Sequence, residues 1–138
     1  MPGSQQQERA TIQVPPACDL TLGMECVDKS TPGVSVWRMW AHERFANPAG
    51  VMQGGFIAAF VDSSMGAATI TYAGRKVISS NTNLSLSFLR AALIGSELVC
   101  TARVVSGGQA ILFVEAEVVD DAGRLVAKGQ STYYLRPR

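Results

Sequence analysis

The chain has 138 residues, of which 47% are hydrophobic and 17% charged, which fits one domain with its own core and indicates a globular rather than a disordered protein. Twelve basic and eleven acidic residues give a net charge of +1, so there is no electrostatic case for nucleic-acid binding. Three cysteines without a CxxC spacing argue against a disulfide framework and a thiolate zinc site, and we expect no metal.

The N-terminal 16 residues are polar and lack the apolar core of a signal peptide. We predict a mobile segment over 1–16, a single domain over 17–138 and a cytoplasmic location. A short helix or turn around 18–22 and a strand over 34–40 come first, and a turn at 47–50 follows them.

The longest apolar stretch runs from Gly54 to about Tyr72, close to the ~20 residues that span a bilayer. Asp62 near its centre argues against a membrane span, and Gly74 lies just past its end as a helix stop. We therefore predict a long buried helix, covered on nearly all sides because its apolar residues surround most of it.

Four strands are predicted after this helix, over 81–88, 97–105, 109–119 and 124–135. Glycine-containing hairpin signals at 107–108 and 121–123 separate the last three. In the first strand the apolar side chains alternate with polar ones, so one face of it should pack on the helix. The sequence thus predicts an α+β fold in which an antiparallel sheet wraps around one long central helix.

Two features of the helix have chemical interest. Gly54 and Gly55 leave the first backbone N–H groups unobstructed, which suits a developing oxyanion, although two glycines also simply permit a tight loop. Asp62 is a carboxylate among apolar neighbours, which is costly without a task or a partner. The alternative is an Asp62 that is hydrogen-bonded to Ser63 or Ser64 at a solvated edge.

The pattern Asn-Pro-x-Gly-x-x-x-Gly-Gly at 47–55, with Asp62 after it, resembles the phenylacetate-pathway and 4-hydroxybenzoyl-CoA branch of the hotdog-fold acyl-CoA thioesterases. The motifs N-x-N-L-x-L-x-F-L-R at 81–90 and G-R-L-V-A-x-G-x-x-T at 123–132 extend the resemblance over roughly residues 30 to 135. It implies a single hotdog domain and hydrolysis of an aryl- or medium-chain acyl-CoA, with no cofactor besides the CoA of the substrate.

The resemblance also implies roles for individual residues. Asp62 matches the catalytic carboxylate, which acts as nucleophile or as general base. The Gly54 N–H matches the donor that polarises the thioester carbonyl, and Asn47 matches the side chain that orients the carbonyl or the water. Ser80 matches a hydroxyl near the carboxylate. It is an even number of residues from Leu84 along the strand, so both side chains should point toward the helix.

The sequence departs from the family at Gln53, where the family usually has His. Gln53 keeps a donor and an acceptor but cannot titrate. It is tolerable if the usual His only shapes the loop, whereas activity would fall or the substrate would change if that His transfers a proton. Gly55 and Arg90 are predicted to contact the substrate, Arg90 at the CoA phosphates, with Arg75 and Lys128 as further candidates.

Eight residues along a helix separate Gly54 from Asp62 by about 12 Å, so one thioester cannot touch both within a chain. We therefore expect a dimer with shared active sites, and dimers that pair into tetramers as is common in the family. Two other functions stay open. One is a non-catalytic acyl-thioester-binding protein, and the other, a hotdog hydratase or dehydratase, would need a His within the motif.

Overall fold

The computed structural model of the protein describes residues 14–138. The predicted mobile segment therefore lies mostly outside the described residues. Within them the chain forms two α-helices and six β-strands, with a single 3-10 turn after the second strand. The elements are α1 (Ala17–Leu22), β1 (Glu25–Asp28), β2 (Val34–Trp40), the 3-10 turn (Glu43–Phe45), α2 (Gly54–Ala73), β3 (Val77–Phe88), β4 (Glu97–Gly107), β5 (Ile111–Val119) and β6 (Leu125–Pro137).

The six strands form one antiparallel sheet in the order β1-β2-β4-β5-β6-β3, and α2 lies across it in contact with five of them. The predicted sheet around one long helix is thereby confirmed. β1 was not predicted, and β3 begins four residues earlier than expected. β3 is also an edge strand, so one side of its backbone has no strand partner among residues 14–138.

Helix α2 buries one face and exposes the other. Gly74 ends it in the left-handed conformation with φ of 62°, as the sequence predicted. The buried face, which includes Phe60 and Met65, packs on the sheet, and both side chains are fully buried. Ile70 lies on the opposite side and is exposed, and Phe56, at the border of the buried face, is also exposed. The prediction that the helix is covered on nearly all sides is therefore wrong for a single chain.

Strand β3 contains a β-bulge that reverses which residues face the helix. Asn81 pairs with Tyr133 and Asn83 pairs with Thr132, so Thr82 is an extra residue without a partner on β6. Before the bulge, odd-numbered residues face α2: the Ser79 hydroxyl is 2.6 Å from the hydroxyl of Thr69. After it, even-numbered residues such as Leu84 and Leu86 pack against the core.

Candidate active site

The N-terminus of α2 carries free backbone donors. Gln53 is its N-cap residue, and the Gln53 side chain makes no capping hydrogen bond. The Gln53 carbonyl accepts from the N–H groups of Phe56 at 3.0 Å and Ile57 at 3.4 Å. The N–H groups of Gly54 and Gly55 have no hydrogen-bond partner within 14–138. Together with the partial positive charge of a helix start, they can receive a carbonyl oxygen that gains negative charge.

Gly54 is also a site of close packing. A Cβ at this position would lie 3.1 Å from two ring carbons of Phe88, whereas a Cβ at Gly55 would meet nothing within 4 Å. Gly54 thus allows a close approach, and its N–H is unobstructed, so the structure is compatible with both roles that the sequence left open. Phe88 is 53% exposed, so its ring forms an outer wall beside the helix start.

Asn47 lies in the loop before α2 and fixes its shape. Its side-chain oxygen Oδ1 accepts hydrogen bonds from the N–H of Ala49 at 2.9 Å and of Val51 at 3.3 Å. The Nδ2 group has no acceptor among the residues that the structure describes. The Asn47 amide is therefore anchored through its oxygen, and its N–H₂ group remains available to a substrate oxygen.

Three of the predicted residues line one cleft of about 440 Å³: Asn47, Gly54 and Arg90. The backbone N–H of Arg90 donates to the Val126 carbonyl at 3.2 Å, which holds the residue just past the end of β3. Its guanidinium forms no ion pair within residues 14–138. The remaining lining is mostly apolar: Val51, Met52, Ile57, Phe88, Leu89, Ala91 and Ala92.

The other two candidates for the CoA phosphates have partners within the chain. Arg75 donates to the carbonyl of Gln109 at 2.7 Å, near the C-terminal end of α2. Lys128 forms an ion pair with Glu117 at 3.4 Å. Of the three candidates, Arg90 alone borders the cleft that contains the helix start.

Asp62 occupies the exposed side of α2, and its carboxylate has two donors from the sheet. Its Oδ1 atom accepts from Asn81 Nδ2 at 3.0 Å and from the Tyr133 hydroxyl at 2.9 Å. The alternative that Ser64 forms a hydrogen bond to the Asp62 carboxylate is wrong, because the Ser64 hydroxyl is buried and donates to the carbonyl of Phe60. The expectation of a buried carboxylate is also wrong within one chain, since Asp62 is exposed.

Tyr133 is 2% exposed, and its hydroxyl also lies 3.0 Å from the Asp62 carbonyl oxygen. Burial and the neighbouring negative charge of Asp62 raise the pKa of Tyr133 well above its ordinary value, so the hydroxyl stays protonated and donates. Neither donor was predicted from the sequence. Asn81 stood in a quoted motif and could have been found there, whereas Tyr133 gave no local signal, because only strand pairing brings it to Asp62.

The predicted orientation of Ser80 is wrong. Ser79 and Asn81 on either side of it both contact α2, so the Ser80 side chain points away from the helix and is exposed. The bulge at Thr82 lies between Ser80 and Leu84, so these two even-numbered residues face opposite sides of the sheet. The catalytic role that the resemblance implies for Ser80 stays a prediction.

Asp62 and the cleft are separate features of one chain. Asp62 is not among the cleft-lining residues, and eight residues of α2 place it about 12 Å from Gly54 along the helix axis. No cluster of potential metal ligands is found among residues 14–138. Neither helix within those residues combines the length and the hydropathy of a membrane span.

An antiparallel sheet wrapped around one long helix is the hotdog fold that the sequence predicted. The sequence model of the Thioesterase superfamily matches residues 49–127. The chain therefore belongs to the thioesterase superfamily and is a thioester hydrolase.

Individual relatives agree with this assignment. Human acyl-coenzyme A thioesterase 13 is 29% identical over 116 residues, which cover 83% of this chain and 81% of the relative. A solved structure of a conserved protein from Pseudomonas aeruginosa is 33% identical with a TM-score of 0.81, covering 87% of this chain and 94% of the other. A phenylacetic acid degradation-related protein from Ralstonia eutropha is 32% identical with a TM-score of 0.79, covering 86% and 89%.

Proposed function

We propose that this protein hydrolyses an aryl- or medium-chain acyl-CoA to the free acid and CoA, at a site that two subunits share. The Gly54 N–H and the Asn47 amide of one subunit hold the thioester carbonyl, and Asp62 of the other subunit drives the reaction. The observation that carries this proposal is the separation of Asp62 from the cleft along the same helix. The cleft of one subunit supplies the groups that hold the carbonyl, and the Asp62 region of the other subunit supplies the carboxylate that the cleft lacks.

The exposed surfaces support the association. Phe56 and Ile70 are exposed on the same helix as Asp62, and the outer edge of β3 has no strand partner within residues 14–138. A second subunit packed here would cover both features and would bring its own helix start toward Asp62. Exposed apolar side chains on the outer face of the sheet support the further pairing of dimers into a tetramer: Val105, Ile111 and Phe113.

The chemistry needs few groups. In the general-base route, Asp62 takes a proton from water, and the water oxygen adds to the thioester carbon while Gly54 and Asn47 stabilise the oxyanion. The C–S bond then breaks, CoA leaves as a thiolate, and the proton returns to the sulfur. In the nucleophilic route, the carboxylate itself adds to the carbon, CoA leaves, and water hydrolyses the resulting anhydride. A thiol has a pKa of about 8.5, so neither route requires a strong general acid.

This chemistry is compatible with Gln53. The Gln53 side chain is exposed at the N-cap and makes no capping hydrogen bond. Gln53 is not among the residues that line the cleft, and its backbone N–H donates to the Phe45 carbonyl at 2.8 Å. We therefore assign it a role in the shape of the loop before α2 rather than in proton transfer. No cofactor besides the CoA of the substrate is proposed.

Release of free CoA from a panel of aryl- and medium-chain acyl-CoAs tests the activity. We expect Asp62→Ala to reduce kcat by at least about a thousandfold while the protein stays folded. Asp121→Ala is the matched control, because Asp121 is an exposed aspartate in the β5–β6 turn and should keep full turnover. Turnover that survives Asp62→Ala would disprove the mechanism, and no turnover on any thioester would favour the non-catalytic binding protein.

A complementation experiment tests the shared site. Asp62→Ala and Asn47→Ala subunits should each be nearly inactive alone. In a mixed dimer, one of the two sites receives both wild-type residues, so random mixing should restore about a quarter of wild-type activity. No recovery in a mixture that demonstrably contains mixed dimers would place both groups on one subunit.

A further inference from the structure

The two oxygens of the Asp62 carboxylate have different surroundings. Oδ1 accepts both hydrogen bonds, from the Asn81 amide at 3.0 Å and from the Tyr133 hydroxyl at 2.9 Å. Oδ2 accepts none within residues 14–138. A carboxylate turns easily about its terminal torsion, which is broad and roughly two-fold, so two donors on one oxygen define which oxygen is turned outward.

The two donors belong to one rigid part of the sheet. Asn81 on β3 and Tyr133 on β6 are cross-strand partners, and they are the last pair before the bulge at Thr82. Tyr133 is buried, so its ring is held by the core and cannot follow a moving carboxylate. Its hydroxyl also contacts the Asp62 carbonyl oxygen at 3.0 Å, which ties the side chain and the backbone of Asp62 to the same point.

We infer that Asn81 and Tyr133 are positioning residues that hold Oδ1 of Asp62 and leave Oδ2 as the oxygen that reacts. This inference rests on the proposed thioesterase mechanism, and it applies to both routes. Oδ2 either takes the proton from water or forms the bond to the thioester carbon. Neither positioning residue touches the substrate.

The chemistry of the donors fits this role. An amide N–H₂ does not titrate, and burial together with the Asp62 charge raises the pKa of Tyr133, so the phenol stays a donor over the neutral and mildly alkaline range. Both groups are neutral, so they orient the carboxylate without the full charge neutralisation that a lysine or arginine would bring. Asp62 is thereby aligned without a cation beside the oxygen that reacts.

Tyr133→Phe and Asn81→Ala test the inference. Tyr133→Phe removes a single oxygen and keeps the buried ring. We expect each variant to lower kcat by about 10- to 100-fold, because a small misplacement of a reacting group has effects of this size. KM should stay within about twofold, because neither group contacts the substrate. A purely structural role would lower the melting temperature and leave the kcat of the folded enzyme unchanged.

Tyr134→Phe is the matched control. It makes the same chemical change one residue along β6, on the exposed outer face, and should leave kcat unchanged. Wild-type kcat in both Tyr133→Phe and Asn81→Ala would overturn the inference while the proposed function stands, provided that Asp62→Ala is inactive. If Asp62→Ala is active, the proposed mechanism at Asp62 fails, and if the wild type releases no CoA from any thioester, the proposed function itself fails. If Tyr133→Phe does not fold, the kcat of Asn81→Ala alone decides.

Discussion

The ring of Phe88 lies against the first residue of α2, so close to Gly54 that a Cβ at residue 54 would be 3.1 Å from two ring carbons. This contact joins the end of β3 to the start of the helix. It also forms one wall of the cleft of about 440 Å³ that Asn47 and Arg90 border.

Gly54→Ala should lower kcat/KM by about tenfold or more, because the new methyl group pushes the Phe88 ring and crowds the N–H donors. The melting temperature should change by only a few degrees, since Phe88 is half-exposed and can move. A double-mutant cycle with Phe88→Leu measures the contact. We expect the double variant to recover part of the loss, and strictly additive effects would show that the ring is not involved.

Arg90→Ala should raise the KM for acyl-CoA by about 5- to 20-fold with little change in kcat, because a charged hydrogen bond to phosphate contributes about 1.5 kcal/mol or more. A thioester of N-acetylcysteamine lacks the phosphates, so its kcat/KM should be the same for the variant and the wild type. Arg75→Ala is the comparison, since Arg75 donates to Gln109 at the other end of α2. Equal effects on both substrates would exclude a phosphate contact.

Gly129→Ala should destabilise the protein by about 2 kcal/mol or more, since its Cβ would lie 2.5 Å from the backbone oxygen of Ser85 and 2.7 Å from Leu86 Cδ1. The backbone of β3 would have to move away from β6. Urea unfolding measures the effect, with Gly108→Ala as the control, because a Cβ at Gly108 meets nothing within 4 Å. A Gly129→Ala protein as stable as the wild type would contradict the close packing of β3 on β6.

Because of Cys100, the free energy of unfolding should fall as the pH rises into the alkaline range. Burial raises the pKa of the Cys100 thiol from 9.0 to about 12. A pKa that is raised by folding contributes stability in full below the unfolded value, and this contribution is lost as the pH rises from about 9 toward 12. Between pH 9 and 10 we expect the free energy of unfolding to fall by up to about 1.4 kcal/mol per pH unit.

Urea unfolding at several pH values measures this slope, and Cys100→Ala should reduce it. The measurement is limited to pH 9–10, because Tyr133 has an ordinary pKa of 10.0 and also lowers the free energy of unfolding above that pH. A thiol reagent should also modify the exposed Cys18 and Cys26 quickly and Cys100 only after unfolding. A slope that Cys100→Ala leaves unchanged would show that another group is responsible.

Much of the fold was predictable because it depends on local signals. The strand at 34–40 and the start of the long helix at Gly54 were predicted at the residues where they occur, since apolar length and glycines mark them. The short strand β1 was missed, because its four residues are all exposed and have no apolar pattern.

The candidate site was predictable only in its cleft half. Asn47, Gly54 and Arg90 were named from motifs, and the fold brings them to one cleft. The surroundings of Asp62 were not predicted, since Tyr133 lies 71 residues away in sequence and reaches Asp62 only through the pairing of β6 with β3. The error at Ser80 has the same origin, because a bulge depends on that pairing and leaves no mark in the alternation of residues.

The extra residue at Thr82 restricts how this chain can change. It allows one strand to present the polar Asn81 to the carboxylate and the apolar Leu84 and Leu86 to the core, all on the same side of the sheet. Removing or adding a single residue between Ser79 and Asn83 would move the side chains before or after the bulge to the opposite face of the sheet. Side chains along β3 can therefore be exchanged without disturbing this register, whereas insertions and deletions must be confined to the loops beyond its ends.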